Sequence, residues 1–293
     1  MDDKQTDLTL LKNTAAQVRR DIVRMVHSSQ SGHPGGSLGC TDMVVALYFH
    51  EMKINEERNE DGFLKFDRAG HNEDLFFLSN GHISPMFYSI LAHRGYFPVA
   101  ELATFRKINS RLQGHPATHD HLPGIRIASG SLGQGLSVAA GAALAKRLRK
   151  DDRFVFVLMG DGEQQEGQVW EAIQFCAHYQ LDNLVAIIDW NGMQIDGTTK
   201  QVMNNRDLAA KYEAFGWDTL YLEHGNDMQA VLDALTQAKE KRGNKKPVLI
   251  LMKDEMGYGV DFMMGTHKWH GAAPNDAQLE TALKQLPVTL GDY

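Results

Sequence analysis

Apolar positions along the chain follow two alternating spacings. Near the N-terminus Leu8, Leu11, Ala15, Val18, Ile22 and Met25 recur at intervals of three and four, which sets them on one face of a long helix. Met228, Val231, Leu232 and Leu235 repeat that spacing towards the other end. Between them lie short runs that are apolar almost without a break: LFFLS (75–79), FVFVLM (154–159), LVAIID (184–189) and PVLILM (247–252). A strand apolar on both faces belongs in a parallel sheet covered by helices on either side. Thr41–Glu51, Ser84–Arg94, Gln134–Arg149 and Gly167–Gln180 read as further helices. The alternation predicts an α/β fold, a doubly wound, mostly parallel sheet with helices on both faces. No repeat, low-complexity tract or long linker interrupts it, so residues 1–293 read as one domain whose periodic elements run from about residue 8 to 285. The stretches 27–39, 110–135 and 256–274 are rich in Gly and His, lack periodicity and read as loops. In this architecture function sits on loops beyond the strand ends.

Composition narrows the class. With 30 basic against 37 acidic side chains the formal net charge is −7, which argues against binding a phosphate backbone as the main role. Hydrophobic residues make up 43% and charged residues only 23%, enough for a substantial core and too apolar for disorder. Cys40 and Cys176 stand without CxxC spacing and read as reduced core thiols. The opening MDDKQTDLTLL is acidic and polar, unlike a secretory or transit peptide, and no apolar run is long enough to span a bilayer. The expectation is a soluble cytoplasmic protein.

The first chemical signal is Gly160-Asp161-Gly162, directly after the apolar run FVFVLM. Two glycines let the backbone turn tightly and approach a ligand, while Asp161 projects an oxygen. The helix that follows offers unpaired amides to a diphosphate. The next apolar run leads into Trp190-Asn191-Gly192-Met193. Neighbouring strand ends then deliver Asp161, Asn191 and a loop carbonyl, half a shell for Mg²⁺ whose other positions suit phosphate oxygens and water. A lone Gly-Asp-Gly is more often plain turn chemistry; the pairing over two strands is what favours a cofactor.

Histidines give the second signal. His33, His82, His115 and His267 each stand in a loop beside glycine or proline, or one residue from it, with His270 close behind. One such histidine is usually solvated and idle. Four in separate loops point to a converging polar site able to donate hydrogen bonds and move protons near pH 7. A zinc site is the competing reading, but the four lack i, i+3 or i+4 spacing to one another. His267/His270 and His115/His119 have it without a cysteine or HExxH companion. The remaining histidines of helices and strands carry no functional reading. The third signal, Gly130-Ser131-Leu132-Gly133-Gln134-Gly135, is neither a Walker loop nor a dinucleotide fingerprint. Leu132 between glycines fits the face of a flat heteroaromatic ring.

Taken together these phrases resemble transketolase. Gly160-Asp161-Gly162 with Asn191 matches the thiamine diphosphate motif, and SGHPGGSLG (31–39), LSNGH (78–82), QGHP (113–116), GSLGQG (130–135), MGDGEQQEG (159–167), IDWNGMQIDG (188–197), YEAFGW (212–217) and GTHKWHGAAP (265–274) follow in the family's order. The resemblance covers the diphosphate-binding half of a single-chain transketolase, so it implies the N-terminal subunit of a split enzyme. It implies that Asp161, Asn191 and the carbonyl of Met193 hold Mg²⁺ (or Ca²⁺ or Mn²⁺ in its place), and that Gly162 lies against the diphosphate of thiamine diphosphate. His82 would contact the cofactor, and Gly130, Ser131 and Leu132 would line its rings. His33, His115 and His267 would surround the donor's reacting hydroxyls, with His267 also near the diphosphate. Glu166 matches a buried family glutamate that links two active sites. Ser131 stands where many members have proline, Trp190 precedes the metal asparagine, and Met263-Met264 replaces the usual small residues before Gly265.

The implied activity is transfer of a two-carbon ketol unit from a ketose to an aldose. A partner would supply the pyrimidine-binding domain and the activating glutamate, in an α₂β₂ assembly. The substrate would be a sugar phosphate or a modified sugar. One rival is the α subunit of a thiamine-dependent 2-oxoacid dehydrogenase; the paired GHP loops and the GTHxxHG segment favour transketolase. The other, a non-catalytic regulatory relative, has no chemical need for Asp161, Asn191 and four loop histidines.

Overall fold

The computed structural model describes residues 7–293. Asp7 caps the first helix by accepting the Leu10 amide at 3.0 Å, and Gln30, in the left-handed region at φ 49°, ends it. The helices are α1 (Leu8–Ser29), α2 (Pro34–Gly39), α3 (Thr41–Ala46), α4 (Ser84–Arg94), α5 (Gly135–Leu148), α6 (Gly167–His178), α7 (Thr199–Val202), α8 (Leu208–Ala214), α9 (Met228–Glu240) and α10 (Asp276–Gln285). The strands are β1 (Leu75–Leu78), β2 (Val155–Gly160), β3 (Leu184–Asp189), β4 (Met193–Gln194), β5 (Gly197–Thr198), β6 (Asp218–Leu222) and β7 (Val248–Met252). Five of them form a parallel sheet in the order β1-β2-β3-β7-β6, and β4 and β5 make a small antiparallel hairpin.

Side chains of the central strands alternate strictly between two cores. Phe76, Leu78, Phe156, Leu158, Val185, Ile187, Val248 and Ile250 face the side of α1, α3, α4 and α9. Leu75, Phe77, Val155, Val157, Leu184, Ala186, Ile188 and Leu249 face the side of α5, α6 and α8. This period of two, with both faces buried, is why the runs read as continuously apolar.

The structure departs from the sequence reading in four places. The stretch 27–39 is not all loop, because α2 occupies Pro34–Gly39, wholly buried, with proline at its first position and Ser37 Oγ donating to His33 O at 2.6 Å. Thr41–Glu51 is continuous but widens to a π turn over Leu47–Glu51. Strand β6 and helices α8 and α10 form although their sequences carry no strong apolar pattern. The ordered core also reaches past residue 285: Gln17 Oε1 accepts the Thr289 and Leu290 amides at 3.1 Å, and Arg24 lies 4.0 Å from the centre of the Tyr293 ring. Both cysteines are free and buried. Among the described residues no helix is long and apolar enough to cross a membrane.

Candidate active site at the carboxyl ends of the strands

Parallel register carries β1, β2 and β3 to the same level, with Leu78 opposite Leu158 and Gly160 opposite Asp189. The loops that leave these ends enclose a cavity of about 350 Å³. Its wall contains His33, Asn80, His82, His115, Ser129, Gly130, Leu132, Asp161, Gly162, Glu163, Glu166, Asp189, Asn191, Met193 and His270, among others.

At one end, Asp161 is buried and accepts the amides of Gly162 at 2.7 Å and Gly192 at 2.8 Å, which ties the β2 and β3 loops together. Burial, reinforced by the neighbouring Asp189, pushes its carboxyl up to about 8; a bound cation acts in the opposite sense. Asn191 donates to Asp189 Oδ1 at 2.7 Å, while its own Oδ1 accepts the Met193 amide at 2.8 Å. The expected metal residues Asp161, Asn191 and Met193 therefore share one wall. The described cluster whose thiol and carboxyl atoms lie within 4.8 Å of one another is not histidine-based: it is Cys40, Asp189 and Asp254, all buried, with Asp189 also in the cavity wall. Burial pushes both of those acids above the ordinary range.

Glu163 carries no distinguishing signal in the sequence, yet it joins three loops. Its Oε1 accepts the Ser79 hydroxyl and the Gly133 amide at 2.7 Å, and its Oε2 accepts the Gly160 amide at 3.0 Å. Ser79 Oγ in turn accepts the Gly135 amide at 3.0 Å. Gly133 sits at φ +83°, and a Cβ on Gly135 would collide with Ser79, so this junction requires both glycines. Glu163→Ala strands buried donors from three segments, and we expect a loss of about 3 kcal/mol in a chemical denaturation curve, partly recovered by Glu163→Gln. Glu166, expected to be buried, is exposed on this chain at the start of α6. The buried glutamate of this segment is Glu163.

At the other end four imidazoles converge. Ring centroids of His33 lie 5.0 Å from His82, 6.4 Å from His115 and 5.6 Å from His270, and His82 and His270 are 5.1 Å apart. His267 is not in the cavity wall. A 3₁₀ turn over His267–Trp269 separates it from His270, which does line the cavity and feels the charge of His267. Ser131 is exposed and outside the wall, whereas Gly130 and Leu132 are in it. Burial, with the charges of His270, Arg106 and His115, lowers His33 to about 4. His82 and His270 are lowered chiefly by burial, and His115 by burial and then by Arg106. Burial therefore favours the neutral form of all four rings. No carboxylate bonds to any of them among the described residues. The wall also leaves buried polar atoms without partners: both ends of the Asn80 amide, His33 Nδ1 and Ser129 Oγ.

The sequence matches the thiamine diphosphate-binding domain of transketolase over residues 11–289. The chain belongs to the transketolase family. It is 37% identical over 268 residues to an apulose-4-phosphate transketolase subunit of Phocaeicola vulgatus, covering 92% of this chain and 90% of that one. It is 34% identical to the 6-deoxy-6-sulfo-D-fructose transketolase subunit SqwG of a Clostridium species, covering 98% of each. The crystal structure of transketolase from Campylobacter jejuni superposes with a TM-score of 0.85 at 31% identity, covering 96% of this chain and 43% of that one. This transketolase-family chain therefore spans about two fifths of the solved transketolase and nearly all of the two related subunits.

Proposed function

We propose that this chain is the diphosphate-binding subunit of a two-chain transketolase, transferring a two-carbon ketol unit from a ketose to an aldose. A partner carrying the pyrimidine-binding domain completes the site, in an α₂β₂ assembly of the cytoplasm. Residues 1–293 serve as a single thiamine diphosphate-binding domain. The observation that carries the reading is the joining, in one cavity, of the Asp161–Asn191 wall and four neutral imidazoles. The chain's match in length to named transketolase subunits supports the partner.

The residues fit the cofactor. A buried asparagine amide, a ring nitrogen and a hydroxyl without protein partners suit a polar ligand. Gly130 and Gly162 leave the backbone open to close approach. Asp161, Asn191 and Met193 would hold Mg²⁺, or Ca²⁺ or Mn²⁺ in its place. Gly162 and His82 would hold the diphosphate, and Gly130 to Leu132 would flank the rings. When bound, thiamine diphosphate supplies the nucleophilic carbon that takes up the two-carbon unit. His33, His115 and His270 accept the proton of the donor's reacting hydroxyl and return it to the product, a task suited to neutral imidazoles. His270 takes the role that the sequence reading gave to His267. Glu166, beside Gly133, links paired sites once a neighbouring subunit covers it.

The two related subunits are named for apulose 4-phosphate and for a sulfonated fructose. We therefore propose a ketose phosphate or a modified ketose as donor. The test is to reconstitute the pair with thiamine diphosphate and Mg²⁺ and assay a panel of phosphorylated, branched and sulfonated ketoses with aldose acceptors. Ketol transfer is expected with at least one donor, and its absence from all of them rejects the reading. In that assay His33→Ala and His270→Ala should lower turnover about 10²–10⁴-fold, with cofactor affinity changed far less. His267→Ala should retain most activity, and the reverse ranking would restore His267 to the site.

A further inference from the structure

Arg106 stands between two loops of the histidine cluster without a countercharge. Its backbone is in the left-handed region at φ 57°, and its amide donates to Leu112 O at 2.8 Å, closing the loop 106–112. Its Nη1 donates to Ser31 Oγ at 3.0 Å, two residues before His33. Its guanidinium also packs against Gly114, one residue before His115, so closely that any Cβ there would collide with it. Neither Glu101 nor Asp120 pairs with it, and the buried Oδ2 of Asp120 has no partner. Glu101 holds Arg111 in a two-pronged pair at 2.9 and 2.7 Å, and Asp120 lies 3.5 Å from His119. Arg106 forms no ion pair among the described residues, and its buried Nε has no partner. Its guanidinium also lies 5.7 Å from the centre of the Phe105 ring, but no anion offsets its charge, and an unpaired, part-buried guanidinium is costly.

We propose that Arg106 is a positioning residue for His115 and His33: braced against the loops that carry both rings and without an ion pair of its own, it sets a fixed positive charge against a second one on either ring. The groups that face His115 leave this effect uncancelled. They are Arg106, the His33 ring with His82 and His270 behind it, and the uncharged Gly130 loop; Tyr88, which burial and Asp120 keep protonated, donates to Gln113 O at 2.9 Å, and both Asp120 and Arg106 act on it. Burial first and Arg106 next lower His115; for His33 the order is burial, His270, then Arg106. A group lowered in the folded chain is neutral above that lowered value. Activity that needs the neutral ring therefore persists as pH falls below the ordinary histidine range and is lost only through the lowered value.

The inference rests on the proposed activity only for its kinetic readout, so two measurements are paired. Histidine-selective NMR titration of the full chain should place His115 and His33 below the ordinary histidine value. Both should move upward in Arg106→Gln and stay near wild type in Arg106→Lys, which keeps the charge. In the reconstituted pair the acid limb of kcat/KM should move to higher pH in Arg106→Gln and not in Arg106→Lys. Unmoved titrations in the Gln variant, or equal shifts in both variants, overturn the proposal. Should Arg106→Gln fail to fold, Arg106→Met removes the same charge, and a wild-type His115 titrating at or above the ordinary value overturns the proposal without any variant. A pair that transfers no ketol group defeats the functional reading instead and leaves the titration to decide this one.

Discussion

Asp161→Ala is expected to abolish metal-dependent binding of thiamine diphosphate. The substitution removes the one carboxylate that Asp161, Asn191 and Met193 offer to a divalent cation, and with it the bridge to the diphosphate. Changes merely beside metal ligands cost about 10–100-fold in affinity, so loss of a charged ligand should cost at least about 100-fold. The fold should survive. Asp161 contributes no apolar packing, and its removal relieves the buried Asp189 of a like neighbour while stranding two glycine amides. The second effect should lower stability by about 1–3 kcal/mol. Asp161→Asn separates charge from shape, since it fills the same space without the carboxylate. Calorimetric titration with cofactor and Mg²⁺ measures the outcome, and wild-type affinity in the Ala variant would reject the metal assignment.

The second large effect concerns the partner. Purified alone, this chain should transfer no ketol group and hold thiamine diphosphate weakly. The cavity wall would meet only part of a bound cofactor, since the chain spans only 43% of the Campylobacter transketolase. Ile195, in the cavity wall, is 61% exposed, and Trp190 and Met264 are exposed on neighbouring loops. Apolar side chains at the mouth of a polar cavity favour a covering surface and make self-association the expected behaviour of the isolated chain. Adding the pyrimidine-domain partner should restore turnover up to equal stoichiometry and raise the melting temperature, because a binding partner that recognises only the folded state stabilises it. Titrating the partner while following donor cleavage tests this. Full turnover by the chain alone, cleared of any co-purifying partner, would sink the two-chain reading.

Strands β1, β2, β3 and β7 and the long helices were legible in the sequence because both faces of those strands are buried, which writes an unbroken apolar run, and because α1 and α9 bury an apolar face. The Asp161–Asn191 pairing was legible for a related reason: each residue stands at or just past the end of such a run, and parallel register brings the ends level. Strand β6 was not legible, since it lies at the sheet edge with only Leu222 buried and reads DTLYL. Helix α2 was hidden by three glycines and a proline among its six residues, whose helical state depends on burial against neighbouring elements. Within the site, sequence placed four histidines on loops but not the choice between His267 and His270, which a three-residue 3₁₀ turn decides. Glu163 looked like one of several polar residues after a turn. Its three acceptor bonds reach Ser79, Gly133 and Gly160, segments up to 84 residues apart. Likewise, of the two neighbouring arginines Arg111 pairs with Glu101 while Arg106 forms no ion pair among the described residues. Local pattern determined the elements and the ends at which chemistry collects; which polar groups face one another there was decided by burial and by contacts between loops far apart in sequence.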